Sequence, residues 1–351
     1  MLQRISRCNR YTRNKQKSKI LFMKSYRWGI IGPGTIAEYF ANDLKLVKTP
    51  QKITSVLSDH EKSVNEFSDK HNVEKRFLNL DDFISKGNVD IAYIATPHPL
   101  HYEAIKMCLQ NHIAVLCEKP IVINHEQFED IRNLSKTHNT FLMEGMWIRF
   151  LPHVKKLLDL VSGKEIGELI SVQVSMSFKA PRDECNRYFD PEKGGGSLLD
   201  LGIYCVFLST ILLGMPASVK AIGKLSEKSI DEACAILLSY NNNSYAMLES
   251  SLLVKQNGPA EIFGSTGIIR LLSPWFEKSP GIEVESNDGE IHKIPFDWDG
   301  HGLQFEIQEV VSCISTQKIE SDLMPHALTK MILEIMDKIR DQIHVSYPKY
   351  E

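Results

Sequence analysis

Long apolar runs, an excess of charge of either sign and ordered cysteine spacing are all missing from this chain. No apolar run reaches the roughly 18–20 residues of a membrane span. The longest candidate, 203–213, reads as a buried helix, so no membrane partner is expected. Lysine and arginine number 41 against 44 acids, a formal net charge of -3. That balance gives no reason to expect nucleic acid or an anionic surface as partner. The seven cysteines (Cys8, Cys108, Cys117, Cys185, Cys205, Cys234 and Cys313) are irregularly spaced and form no CxxC. This speaks against a disulfide framework or a zinc site and leaves no metal expected. Each thiol reads as a small buried apolar group in a reducing, cytoplasmic setting.

What is present is ordinary globular material, 43% hydrophobic and 24% charged over 351 residues, enough for two domains. Residues 1–24 stand apart, with eight Lys/Arg, no acid and no apolar core. That is not a secretory signal. It reads as a disordered extension, with Met23 inside it as an alternative start and an organelle presequence as the rival reading.

From residue 25 the texture is rhythmic. Apolar strands are expected at 26–31, 53–57, 89–95, 114–117 and 140–143. Helices are expected at 35–47, 64–71, 101–111 and 125–138, with a turn leading to Phe77 and a helical turn at 81–86. This alternation predicts an α/β domain over 25–146, a doubly wound parallel sheet of Rossmann type. Beyond it, a helix at 152–162 precedes alternating segments at 170–178, 218–223, 233–240, 244–251, 260–264, 267–272, 282–286 and 290–295. With helices at 197–213, 303–316 and 323–341, they predict an α+β domain over 147–351 with a large, mostly antiparallel open sheet.

Gly32-Pro33-Gly34-Thr35-Ile36-Ala37 lies between the first strand and the first helix. A G-x-G-x-x-A pattern in that setting is the signature of a dinucleotide cradle. Gly32 permits a tight turn, Gly34 lets pyrophosphate approach the backbone, and Ala37 lets the helix pack on the strand. The N–H groups from Thr35 and Ile36 onward face the phosphates. The second strand ends at Ser58-Asp59. A carboxylate there accepts from ribose hydroxyls and repels a 2′-phosphate, so of NAD and NADP, Asp59 favours NAD. Glu118-Lys119-Pro120 ends the fourth strand, where open parallel sheets bind ligands; Lys119 is either a site lysine or half of a loop ion pair. Gly194-Gly195-Gly196 precedes a helix carrying Asp200 and Tyr204 on one face, either a structural pair or a catalytic one.

Taken together, these segments resemble the Gfo/Idh/MocA family of nicotinamide-dependent oxidoreductases. The resemblance extends through Ala95-Thr96-Pro97 with His101-Tyr102, Met143 to Phe150, Met324-Pro325 and Val345-Ser346-Tyr347-Pro348. Trp147-x-Arg149-Phe150 and Leu199 to Cys205 are most similar to its branch of dimeric dihydrodiol dehydrogenases and D-xylose dehydrogenases.

The resemblance implies hydride transfer between nicotinamide and a secondary alcohol or hemiacetal of a sugar, polyol or cyclic diol. Lys119 would stand by the nicotinamide and the reacting hydroxyl. Tyr204 would transfer the proton, its phenol pKa drawn down by the Lys119 ammonium. Asp200 would orient Lys119 or the substrate. Thr96, Pro97, His101 and Glu118 would line the cofactor site, and Trp147 and Arg149 would wall its nicotinamide end. Arg187 and Phe189 would line the substrate pocket. NADP-using members of that branch place an Arg where this chain has Asp59. The resemblance also implies a homodimer through the open sheet face. Rival functions are a non-catalytic dinucleotide sensor and an NAD-dependent redox glycosidase.

Overall fold

The structure, a computed structural model, describes residues 25–182, 186–256 and 258–351. The basic extension and its alternative start, together with Cys8 and Cys185, lie outside the described residues. The five described cysteines are free and buried.

Six parallel strands form the first sheet: β1 (Tyr26–Ile31), β2 (Gln51–Leu57), β3 (Lys75–Phe77), β4 (Ile91–Ile94), β5 (Ala114–Glu118) and β6 (Leu142–Gly145). Their spatial order, β3-β2-β1-β4-β5-β6, is that of a doubly wound dinucleotide-binding sheet. The switch point between β1 and β4 opens a crevice above the strand ends. Helices α1 (Thr35–Asp43), α2 (Glu61–His71), α3 (Leu80–Lys86), α4 (His101–Gln110) and α5 (His125–Thr137) connect the strands. The stretch leading to Phe77, read as a turn, includes β3, a short edge strand without an apolar run to mark it. Helix α1 stops at Asp43, four residues before the expected end, and tightens into a 3-10 turn, Leu44–Leu46.

The chain then passes through a 3-10 turn, Trp147–Phe150, and α6 (Pro152–Ser162). The second sheet has eight strands: β7 (Leu169–Ser177), β8 (Ser218–Leu225), β9 (Asp231–Ser239), β10 (Tyr245–Ser251), β11 (Ala260–Gly264), β12 (Gly267–Leu271), β13 (Gly281–Ser286) and β14 (Ile291–Pro295). It is antiparallel except at its centre, where β10 pairs parallel with β7. α7 (Ile203–Leu213) covers one face. It is apolar all round because it is buried all round from Ile203 to Thr210. The helical stretch Pro191–Leu213 is long and apolar enough to cross a membrane, and 83% of its apolar stretch is buried within the protein.

α8 (Leu303–Ser315) and α9 (His326–Ile343) complete the chain, α9 starting after Pro325 rather than at 323. α8 is fastened to the first sheet's layer by Asp43 at the end of α1. The buried Asp43 carboxylate accepts from the backbone N–H groups of Gly302 (2.9 Å) and Leu303 (3.0 Å). A carboxylate at a helix start satisfies free donors and the helix dipole together. Above it, Tyr39 stacks on His301 with ring centres 4.0 Å apart.

Candidate active site

The cradle follows from two glycines with different duties. Gly32 has φ +90, and a Cβ there would stand 2.8 Å from the Ala95 carbonyl and the Thr96 nitrogen. Only glycine brings the end of β1 so close to the end of β4. Gly34 has ordinary backbone angles, and a Cβ on it would meet nothing within 4 Å. Its absence therefore keeps space clear in front of α1. Among the described residues no side chain caps this helix start, where Gly34 and Thr35 are exposed and Ile36 half-buried. Beside it, the buried Thr96 hydroxyl has no partner among the described residues. Open space, free N–H groups and an unsatisfied hydroxyl fit a bound pyrophosphate. At the end of β2, Ser58 Oγ donates to Asp59 at 3.3 Å, and the Asp59 carboxylate is exposed.

At the ends of β4 and β5 the second cluster assembles. Lys119 Nζ donates to the backbone carbonyl of Asp200 at 2.8 Å and stands 3.5 Å from its Oδ1. Arg187 donates to the same Oδ1 at 3.0 Å. Burial alone would raise the Asp200 pKa, but the Lys119 and Arg187 charges overrule it and hold the carboxyl at about 2. Asp200 lies in a π turn, Leu198–Gly202, not in a regular α-helix as its spacing suggested. The widened turn places its backbone carbonyl on Lys119 and its carboxylate on Arg187.

Tyr204, in the first turn of α7, accepts a hydrogen bond from Trp147 Nε1 at 3.1 Å. Its ring lies beneath the Lys119 ammonium, 4.7 Å from Nζ to the ring centre. The expected lowering of its pKa does not occur. Burial, then the Glu118 and Asp200 carboxylates, push it well above the usual phenol value. Lys119 stabilises the ring's π face rather than a phenolate, so Tyr204 is a protonated phenol.

Two family descriptions match in tandem: "Oxidoreductase family, NAD-binding Rossmann fold" over residues 26–146, and "GFO/IDH/MocA C-terminal domain" over 154–270. The chain belongs to the Gfo/Idh/MocA oxidoreductase family. Among curated relatives, trans-1,2-dihydrobenzene-1,2-diol dehydrogenase of Xenopus laevis is 32% identical, the match covering 92% of this chain and 99% of that one. Its Homo sapiens counterpart is 28% identical over 92% and 98%. Among solved structures, aldose-aldose oxidoreductase from Caulobacter crescentus, complexed with glycerol, superposes with a TM-score of 0.83 at 19% identity, covering 92% of this chain and 98% of that one. Levoglucosan dehydrogenase, in complex with NADH and levoglucosan, gives 0.82 at 15% identity over 93% and 98%.

Within this Gfo/Idh/MocA oxidoreductase, three further expected site residues take defined positions. His101, read as a cofactor contact, is wholly buried, with its ring nitrogens 2.9 Å from the Thr96 and Pro120 carbonyls. Burial depresses its pKa to about 4, so the ring is neutral, donates to one of these two carbonyls and packs against the other, wedged between the two strand-end loops that carry Thr96 and Lys119. Glu118 turns into the core, accepting from the Tyr93 hydroxyl at 2.5 Å. It reaches the site through its field rather than by contact. Phe189 stands against Arg182, 5.3 Å from guanidinium to ring centre. Trp147 is at the site through Tyr204, Arg149 is anchored to the Leu323 carbonyl at 2.8 Å, and Pro97 opens the 3-10 turn His98–Leu100.

Three buried residues escaped the sequence reading. His98 Nδ1 lies 3.1 Å from the Gly194 carbonyl; burial and the Lys119 charge push its pKa well below the usual value. Its signal was its place just past the end of β4. Glu144 accepts from the Ile121 N–H at 3.1 Å and the Thr329 hydroxyl at 3.1 Å. Glu306, in the first turn of α8, is fully buried.

Proposed function

We propose that this enzyme reversibly oxidises a secondary alcohol or hemiacetal carbon of a neutral polyhydroxyl compound, a sugar, polyol or cyclic trans-diol. The observation that carries this reading is the Lys119–Asp200–Tyr204 cluster at the strand ends beside the cradle. The names of its relatives, diol and sugar oxidoreductases, agree with it.

A bound dinucleotide accepts or donates the hydride at nicotinamide C4. The chain's own residues do the rest. Lys119, fixed by the Asp200 carbonyl, points a cation at the oxygen where negative charge develops. Tyr204, a neutral phenol, delivers a proton to that oxygen in reduction and relays it away in oxidation. Arg187 and Lys119 keep Asp200 ionised, and Asp200 keeps both of them in place. Thr35, Ile36 and Thr96 hold pyrophosphate. Asp59 takes the adenosine ribose and makes NAD the preferred form.

The second copy in a homodimer covers the open face of the eight-stranded sheet. That face carries exposed Ile222, Leu237 and Met247 around a shallow cavity of about 810 Å³, on the side away from α7. Light scattering at micromolar concentration should give twice the chain mass.

The test of the activity follows absorbance of the reduced nicotinamide, with NAD and NADP each offered against xylose, glucose, inositols and a trans-dihydrodiol. Turnover with one class is expected. Dinucleotide binding without turnover across the panel would leave a sensor, and sugar release from an added glycoside without net absorbance change would leave a redox glycosidase.

A further inference from the structure

Beneath the catalytic cluster lies a pair of acids that the hydride reaction does not use. Glu306 is wholly buried, and neither of its carboxyl oxygens has a partner among the described residues. α8 is held in register by Asp43 at Gly302 and Leu303, one turn ahead of Glu306. A Cβ on Gly302 would stand 3.7 Å from the Trp147 ring, so this helix start abuts the turn that hydrogen-bonds Tyr204. The groups that act on Glu306 are Glu118 from β5 and Asp43 from α1; it acts in turn on Tyr93 from β4 and Tyr204 from α7. The cation on the adjoining 3-10 turn, Arg149, faces Glu309 instead.

Two neighbouring buried carboxyls cannot both ionise cheaply. Glu118 has the better claim to the charge, since it accepts from Tyr93 and adjoins Lys119. Glu306 has no compensating group among the described residues. Burial, Glu118 and Asp43 drive its pKa well above the carboxylate range, so it holds the proton.

We propose that Glu306 is a redox-linked proton site, losing its proton when a cationic, oxidised nicotinamide ring occupies the cleft and regaining one when the ring becomes neutral. The inference rests on the reading that places this ring beside Lys119 and Tyr204. The balance closes for alcohol oxidation. The substrate C–H bond breaks and its hydride reduces the ring, which loses its positive charge. The substrate O–H bond breaks and its proton is matched by one taken up on the Glu306 carboxylate, which loses its negative charge. The alcohol becomes a carbonyl, and the net charge of the buried site is unchanged across the step. No proton need cross to solvent while the ring is bound.

The experiment is isothermal titration of the full chain with oxidised and with reduced dinucleotide, each in two buffers of different ionisation enthalpy, which counts protons exchanged on binding. The wild type should release about one proton more with the oxidised form than with the reduced form. Glu306→Gln, which mimics the neutral acid, should bind both forms and abolish that difference. Infrared difference spectra of the two wild-type complexes give a readout independent of any variant: a buried protonated-carboxyl band should be weaker in the oxidised complex. Equal proton counts for two tightly bound forms, or a difference that survives in Glu306→Gln, would overturn the inference and leave the oxidoreductase reading intact. Failure of both forms to bind would overturn the two together.

Discussion

The Lys119 ammonium donates to the Asp200 backbone carbonyl at 2.8 Å while standing 4.7 Å from the centre of the Tyr204 ring. One cation thus ties the end of β5 to the π turn and the first turn of α7. Replacing it by methionine keeps most of the volume but removes the charge. Turnover should fall roughly 10²–10⁴-fold, with dinucleotide affinity little changed. Arginine should not rescue, because a larger, planar guanidinium cannot take the place of the compact, buried ammonium that donates to the Asp200 carbonyl. Steady-state kinetics with fluorescence titration of the dinucleotide separates the two quantities; loss of affinity with kcat intact would contradict this assignment.

Tyr204→Phe removes the hydroxyl that accepts from Trp147 but keeps the ring under Lys119. Carbonyl reduction should slow by roughly 10²–10⁴-fold, again without loss of dinucleotide binding. Since burial and the Glu118 and Asp200 charges hold the phenol protonated, the wild-type reduction profile should show no Tyr204 limb below the ordinary phenol value of about 10. A basic limb near neutrality that vanishes in the variant would show that Tyr204 ionises there after all.

Gly32 and Gly34 should respond oppositely to alanine. At Gly32, φ is +90 and the new Cβ would press on Ala95 and Thr96 backbone, so stability should fall by about 1 kcal/mol or more. At Gly34 the Cβ enters open space, so the melting curve should hold while dinucleotide Kd rises about tenfold, roughly 1.4 kcal/mol. Thermal melts and binding titrations of both variants check the contrast. An intact Kd in Gly34→Ala would remove this turn from the phosphate site.

The same contrast shows what the linear chain could reveal. The cradle was legible because its information is local: an apolar strand, two glycines and a helix within a few residues. β3 was not, because Lys75–Phe77 is a short edge strand with only one apolar residue. The four-residue spacing of Asp200 and Tyr204 described a regular helix, whereas the chain widens into a π turn that depends on groups far away. Asp231 accepts from Ser197 Oγ at 2.7 Å and from the Leu198 N–H at 2.6 Å, and Tyr347 donates to the Gly195 carbonyl at 2.6 Å. Glu306, in Phe-Glu-Ile-Gln-Glu, looks like a solvated helix charge. Its burial arises from Asp43, more than 250 positions away in the chain, holding the helix start inward. The Tyr204 pKa failed for a related reason: spacing placed a cation near the phenol but could not say which face of it.

Asp59 gives a test of cofactor choice. Its carboxylate is exposed at the end of β2 and, among the described residues, accepts from neighbouring Ser58, with His60 Nε2 3.8 Å away. Asp59→Arg should exchange repulsion of a 2′-phosphate for attraction, raising the NADP-to-NAD ratio of kcat/KM by tenfold or more, about 1.4 kcal/mol. Paired kinetics with the two dinucleotides measures it. An unchanged ratio would place the ribose away from Asp59.

Glu144 provides a stability signature separate from catalysis. Burial raises its pKa from 4.5 to about 7, with the Ile121 N–H and the Thr329 hydroxyl pulling the other way. Between those values the folded protein keeps a proton that the unfolded chain gives up. The contribution is therefore fully present below about pH 4.5 and is lost as pH rises through about 7. Glu144→Gln fixes the neutral form and removes that loss. Relative to wild type, its unfolding free energy should rise with pH across this window, by at most roughly 1.4 kcal/mol per unit, and level off above it. Glutamine can accept through only one oxygen, so an offset independent of pH is also expected from the hydrogen bond it cannot keep. Urea unfolding of both proteins at intervals from pH 4.5 to pH 8 separates slope from offset. Parallel curves would mean that Glu144 is ionised throughout and that the Ile121 and Thr329 donors compensate its burial fully.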